Sequence, residues 1–134
     1  MSAHDPLDAH LADDALAVGE RLFGALSSGD FATYEGLMSP DARIWTNFDG
    51  RDVDAATASR TVRWLMTKVS GLRYEIVRRE ATDGGFVQQH VLHGHAPDGT
   101  ELAMPACIWV TVEDGLVTRM EEYLDPAGVA ALLR

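Results

Sequence analysis

The sequence is short of cationic side chains. Eleven lysines and arginines stand against 21 aspartates and glutamates, a formal net charge of −10. Nucleic-acid binding needs a basic footprint, and so does attraction to an anionic membrane, so neither partner is expected. There is one cysteine, Cys107. It lies in an apolar run, so a core position is expected and an intrachain disulfide is excluded. No apolar run approaches the ~18 residues of a membrane span. The first fourteen residues are polar and acidic, without the basic start and apolar stretch of a secretion signal, so a cytoplasmic location is expected. Repeats and low-complexity tracts are missing as well.

What remains is 134 residues, 46% of them hydrophobic. That is enough chain to bury one core, and residues 1–134 are read as a single domain with a loose lead-in over 1–10. Leu11, Ala15, Val18, Leu22, Ala25 and Leu26 recur at three and four, the stripe of an amphipathic helix. Gly29 suits a left-handed stop, and Asp30 can cap a second, short helix that ends before Pro40. Residues 42–47 read as a strand, 48–51 as a turn and 54–69 as a third helix. Residues 72–81 read as a strand. Three more strands fill residues 86–125, joined by Pro97-Asp98-Gly99 and Glu113-Asp114-Gly115. Such turns between β-rich runs mark hairpins. Residues 127–133 can form a closing helix. Strands joined by tight turns pair antiparallel, and helices gathered on one side of such a sheet make an α+β domain. A curved, mainly antiparallel sheet with helices on its concave face would enclose a conical, mostly apolar cavity.

Polar residues inside these apolar strands are candidates for a site. Alternation puts Gln88, His90, Leu92 and Gly94 on one face of their strand. An imidazole both donates and accepts, and exchanges protons near neutrality, so His90 is a candidate catalytic acid or base. Glu122 shares a face with Met120 and Leu124. An acid between apolar neighbours sits in a cavity or at a solvated edge, and Glu122 is a candidate second acid/base. Asn47 could hold a water or a substrate oxygen, or could serve the turn that follows it. Trp45, Trp64, Gln88, Leu92, Met104, Met120 and Leu124 are expected to line the pocket. Each aromatic or methionine among them would serve equally as core. His93, His95 and Glu101 do not make a convincing ligand set, so no metal is assigned. Arg78-Arg79-Glu80 reads as a solvated face.

The order of elements, with Trp45-Thr46-Asn47, Gln88-Gln89-His90-Val91-Leu92 and Asp114-Gly115-Leu116-Val117 leading to Glu122-Tyr123-Leu124-Asp125, resembles the nuclear transport factor 2-like superfamily over nearly the whole chain. Within it the chain looks most like the SnoaL-like polyketide cyclases and the limonene-epoxide-hydrolase-like proteins. The resemblance implies a cystatin-like α+β cone. In the epoxide hydrolases a Tyr and an Asn two apart on the first strand hold a water with an acid on the last strand. Trp45, Asn47 and Glu122 match those places, with Trp for Tyr. That family's Arg-x-Asp pair is replaced here by Gln88-Gln89-His90. The cyclases carry Gln-x-His, as Gln88 and His90 do, but Met104 stands about where their acid/base Asp belongs. Ketosteroid isomerases, of the same superfamily, use acids that this chain lacks at Thr46 or Asn47 and at Cys107 or Ile108.

Two functions follow as expectations. One is a metal-free, cofactor-free acid/base enzyme acting on a small hydrophobic molecule, by cyclisation or isomerisation beside a carbonyl or by water addition to an epoxide. The other is a non-catalytic binding domain for a polyketide- or lipid-like ligand. A homodimer through the open sheet face is expected from Trp109, which alternation sets opposite Met104 and Ala106, and from family habit.

Overall fold

The computed structural model describes residues 6–133. Helix α1 covers Pro6–Ser28. The loose lead-in expected over residues 1–10 is therefore corrected for residues 6–10, which are helical; residues 1–5 lie outside the described residues. Proline suits a first helical turn because the N–H it lacks would have no intrahelical partner there. Gly29, at φ 76°, ends the helix as expected. Asp30 caps α2 (Phe31–Gly36) by accepting from the Thr33 backbone N–H at 3.1 Å and its hydroxyl at 2.6 Å.

Strand β1 (Met38–Thr46) begins earlier than the pattern suggests. It contains Pro40, and its register against the last strand shifts between Met38 and Arg43. A residue without an N–H is tolerated at such an irregularity. Strand β2 (Asp52–Asp54) was not foreseen; three residues are too few to show a period. Asp54 then caps α3 (Ala55–Lys68), accepting from the Thr57 N–H at 2.8 Å. Strands β3 (Ser70–Thr82), β4 (Gly85–His95), β5 (Glu101–Glu113) and β6 (Leu116–Leu124) follow, and α4 (Ala127–Leu132) closes the chain. The turn into β6 uses Asp114 and Gly115, both at positive φ (52° and 76°), the backbone that a two-residue hairpin turn requires.

The six strands form one mixed sheet in the order β2-β1-β6-β5-β4-β3. β1 runs parallel to β6, and every other pairing is antiparallel. Residues paired across the sheet share a face. The inner face carries Tyr74, Phe86, Gln88, His90, Leu92, Met104, Ile108, Val110, Met120 and Glu122. Helices α1 and α2 bury Ala15, Val18, Leu22, Phe23, Leu26 and Tyr34 against Phe86, Ile108, Val110 and Met120 on that side. A second apolar cluster joins Val69, Ala96, Leu102, Ala131 and Leu132, with Trp64, Leu65 and Leu72 packed on it. It ties α3 and α4 to the other end of the sheet.

The outer face carries Trp45, Gln89, Val91, Cys107, Trp109 and Tyr123. Among the described residues no helix lies over it, and Trp109 and Tyr123 are 50% and 61% exposed. Cys107 is exposed on this face, which corrects its expected core position. It alternates with Ala106 and Ile108, whose side of the strand is the one the core uses. No helix among the described residues is long and apolar enough to cross a membrane.

Candidate active site

Two candidates chosen from the sequence meet. His90 Nε2 and Glu122 Oε2 stand 3.5 Å apart on the inner face. They come from β4 and β6 and are bridged by β5, where His90 pairs with Ala106 and Glu122 with Ile108. The His90 side chain is 1% exposed and that of Glu122 25%, so the pair is closed on the imidazole side and open on the carboxylate side.

His90 is wedged among rings. The Phe23 and Tyr74 rings lie 5.2 and 5.1 Å from its centroid, Tyr74 edge-on. Phe23 and Tyr74 also contact each other at 5.1 Å. Such edge and tilted packing favours a fixed ring orientation. The other ring nitrogen, Nδ1, lies 2.8 Å from Gln88 Nε2. Gln88 is fully buried, and its Oε1 accepts from Arg79 Nε at 2.7 Å. A chain of polar contacts thus runs Arg79–Gln88–His90–Glu122 across three strands.

The charge of Glu122 reaches two buried phenols. Burial pushes the Tyr34 hydroxyl up to about 12, with the charges of Glu35 and Glu122 adding to the shift. Burial raises Tyr74 further, with Glu122 and then Tyr34 contributing. Both phenols stay protonated at neutral pH.

Arg79 was misread from the sequence as part of a solvated face. β3 shifts register against β4 between Ile76 and Arg78. That extra residue turns Arg79 inward, opposite Gln88. No alternation pattern could have shown this. Its guanidinium lies 5.9 and 5.7 Å from the Phe23 and Phe86 ring centroids, and burial lowers its pKa from the ordinary value against the charge of Glu20.

The other expected site residues fall in different places. Leu92 and Met104 pair across β4 and β5 on the inner face, both buried. Met120 is in the main core, and Leu124, partly buried, pairs with Ala106. Trp64 packs on the second cluster. Gln88 is occupied at both ends by Arg79 and His90, so it supports the imidazole in place of a substrate. Trp45 is corrected outright. It pairs with Glu121 and stacks on Tyr123 at 5.1 Å on the outer face, because Ile44 and Thr46 take the inner one. Asn47 is likewise corrected as a water holder. Its amide donates to the Leu124 carbonyl at 3.0 Å and accepts from the Leu124 N–H at 2.9 Å. It acts as a side-chain extension of the β1–β6 ladder. His93 bonds Glu75 at 2.7 Å on the outer face.

Two hollows open on the surface near these groups. One, of about 220 Å³, lies between α1 and β3 and is lined by Glu20, Phe23, Gly24, Ser27, Tyr74, Ile76 and Arg79. The other, of about 450 Å³, is lined by Val77, Gln89, His90, Val91, Pro105, Ala106, Cys107, Tyr123, Leu124 and Asp125.

The profile of the SnoaL-like domain matches residues 19–120, so the chain belongs to that family. Among solved structures it is similar to an LEH-like epoxide hydrolase from M. tuberculosis (TM-score 0.74, 20% identity, 92% of each chain covered). It is also similar to a protein described as a SnoaL-like polyketide cyclase from Jannaschia sp. CCS1 (TM-score 0.80, 18% identity, 98% of this chain and 96% of that one). A third is a protein of ketosteroid isomerase-like fold from Catenulispora acidiphila DSM 44928, in complex with trimethylamine (TM-score 0.75, 14% identity, 86% and 90% covered). At these identities the likeness is one of fold, and the fold is the nuclear transport factor 2-like, ketosteroid isomerase-like one. No curated protein matches the chain.

Proposed function

We propose that this SnoaL-like domain is a cofactor-free acid/base enzyme acting on a small, mostly apolar molecule. The observation that carries the reading is the His90–Glu122 pair, 3.5 Å apart on the inner face, closed by aromatic rings on one side and open at the carboxylate on the other. Two adjacent titratable groups are equipped to take a proton from a substrate and to hydrogen-bond the oxygen that gains charge. Catalytic hydrogen bonds are often long in the free enzyme and tighten with substrate, so a 3.5 Å separation suits the role. Cyclisation or isomerisation beside a carbonyl fits these groups best. Addition of water to an epoxide fits less well, because Asn47 is committed to the Leu124 backbone and cannot hold the water.

That same commitment favours a second reading, a non-catalytic domain that binds a polyketide- or lipid-like ligand. A panel of small ketones, β-dicarbonyl compounds and epoxides separates the two. The enzyme reading expects turnover by the wild type and a loss of about 10²–10⁴-fold in Glu122→Gln, with the melting temperature nearly unchanged. Retained ligand with no conversion of any panel member would favour the binding domain. A second copy docked on the open face, where Val77, Trp109 and Tyr123 are all at least half exposed, belongs to the proposal.

A further inference from the structure

We infer that Arg79, acting through Gln88, fixes His90 as the tautomer with its proton on Nε2, and so divides the labour of the pair. A guanidinium donates and never accepts. Arg79 Nε meets Gln88 at 2.7 Å, so the Gln88 atom there must be its carbonyl oxygen. The amide nitrogen is then at the far end, 2.8 Å from His90 Nδ1, and it donates. Nδ1 must accept, and a neutral imidazole carries its one proton on the other nitrogen. That nitrogen, Nε2, is the one 3.5 Å from Glu122.

This has a consequence for chemistry, which rests on the proposed function above. The only lone pair of the neutral ring is capped by an amide that cannot turn over while Arg79 holds its oxygen. His90 is therefore a donor toward Glu122 and toward any oxygen bound beside it. Glu122 is the group that accepts the substrate's proton. Of the two roles expected of His90, acid or base, this arrangement selects the donor.

The seat of Arg79 is built for it. The guanidinium lies over the Phe23 and Phe86 rings, and α1 passes it with a glycine. A Cβ on Gly19 would fall 2.9 Å from Arg79 Nε and 3.0 Å from the Phe86 ring. Arg79 acts on the imidazole through Gln88, so it is a positioning residue.

Long-range proton–nitrogen NMR of the imidazole, recorded on the ligand-free protein, tests this without any substrate. In wild type, His90 is expected to show a pyridine-like Nδ1 and a pyrrole-like Nε2. Gln88→Glu replaces the donor by an acceptor of nearly the same shape and should move the proton to Nδ1. Arg79→Met frees the amide to turn and should give a mixture. A wild-type spectrum with the proton on Nδ1 overturns the inference. So does an unchanged single tautomer in folded Arg79→Met. If that variant does not fold, the wild-type and Gln88→Glu spectra still decide. Failure of the substrate panel would leave these spectra untouched, so the tautomer and the enzymatic reading fail separately.

Discussion

Tyr34 gives the tightest link between burial and a measurable energy. An exposed tyrosine ionises near pH 10, and burial with the nearby Glu35 and Glu122 charges pushes this one to about 12. Between those values the unfolded chain releases the phenolic proton while the folded chain keeps it. The folded state then binds more protons, so stability must fall as pH rises. The contribution is fully present below pH 10 and is lost through pH 12. Taking one pK unit as ~1.4 kcal/mol, the loss from this residue is about 1 kcal/mol by pH 11 and about 2 kcal/mol by pH 12. Tyr34→Phe removes it. Urea unfolding of wild type and Tyr34→Phe at pH 9, 11 and 12 isolates the residue, because titrations not coupled to Tyr34 cancel in the difference. The wild type should lose about 2 kcal/mol more than the variant over that range. Equal losses would mean that the phenol reaches water in the folded state.

Three further outcomes are expected. Asn47→Ala removes two hydrogen bonds to Leu124 and should cost about 1–3 kcal/mol of stability by urea unfolding; a variant as stable as wild type would show that the clamp carries nothing. Any side chain at Gly128 meets the Met104 side chain, so Gly128→Ala should destabilise by about 1–3 kcal/mol through overpacking, and a neutral result would mean that Met104 yields freely. Trp109→Glu puts a charge at the centre of the open sheet face; the proposed dimer should fall to monomer in light scattering, and an unchanged dimer would place the interface elsewhere.

The fold was legible where local chemistry decides structure. Gly29, Asp30, Asp54, Asp114 and Gly115 each do what their type suggests, because caps and tight turns are satisfied within a few residues. His90 and Glu122 were legible because strict alternation runs unbroken through β4 and this part of β6. Arg79 was hidden because one extra residue in β3 reverses the alternation that precedes it. Trp45 was hidden because its strand offers apolar side chains to both faces: Ile44 inward and Trp45 outward. Asn47 looked like a site residue because its partner, Leu124, lies 77 positions along the chain, and such a contact leaves no local trace. The burial of Tyr34 and Tyr74 within reach of the Glu122 charge depends on two separate elements, and leaves no local trace in the sequence.

His90 and Glu122 are the proposed reactive pair, and a structure with the best-converted panel compound is the direct test. A polar atom of that compound is expected within about 3 Å of Glu122 or His90 Nε2, with its apolar part against inner-face side chains. A compound seated instead among Val77, Cys107 and Tyr123 on the outer face, with no polar atom near Glu122 or His90 Nε2, would contradict it.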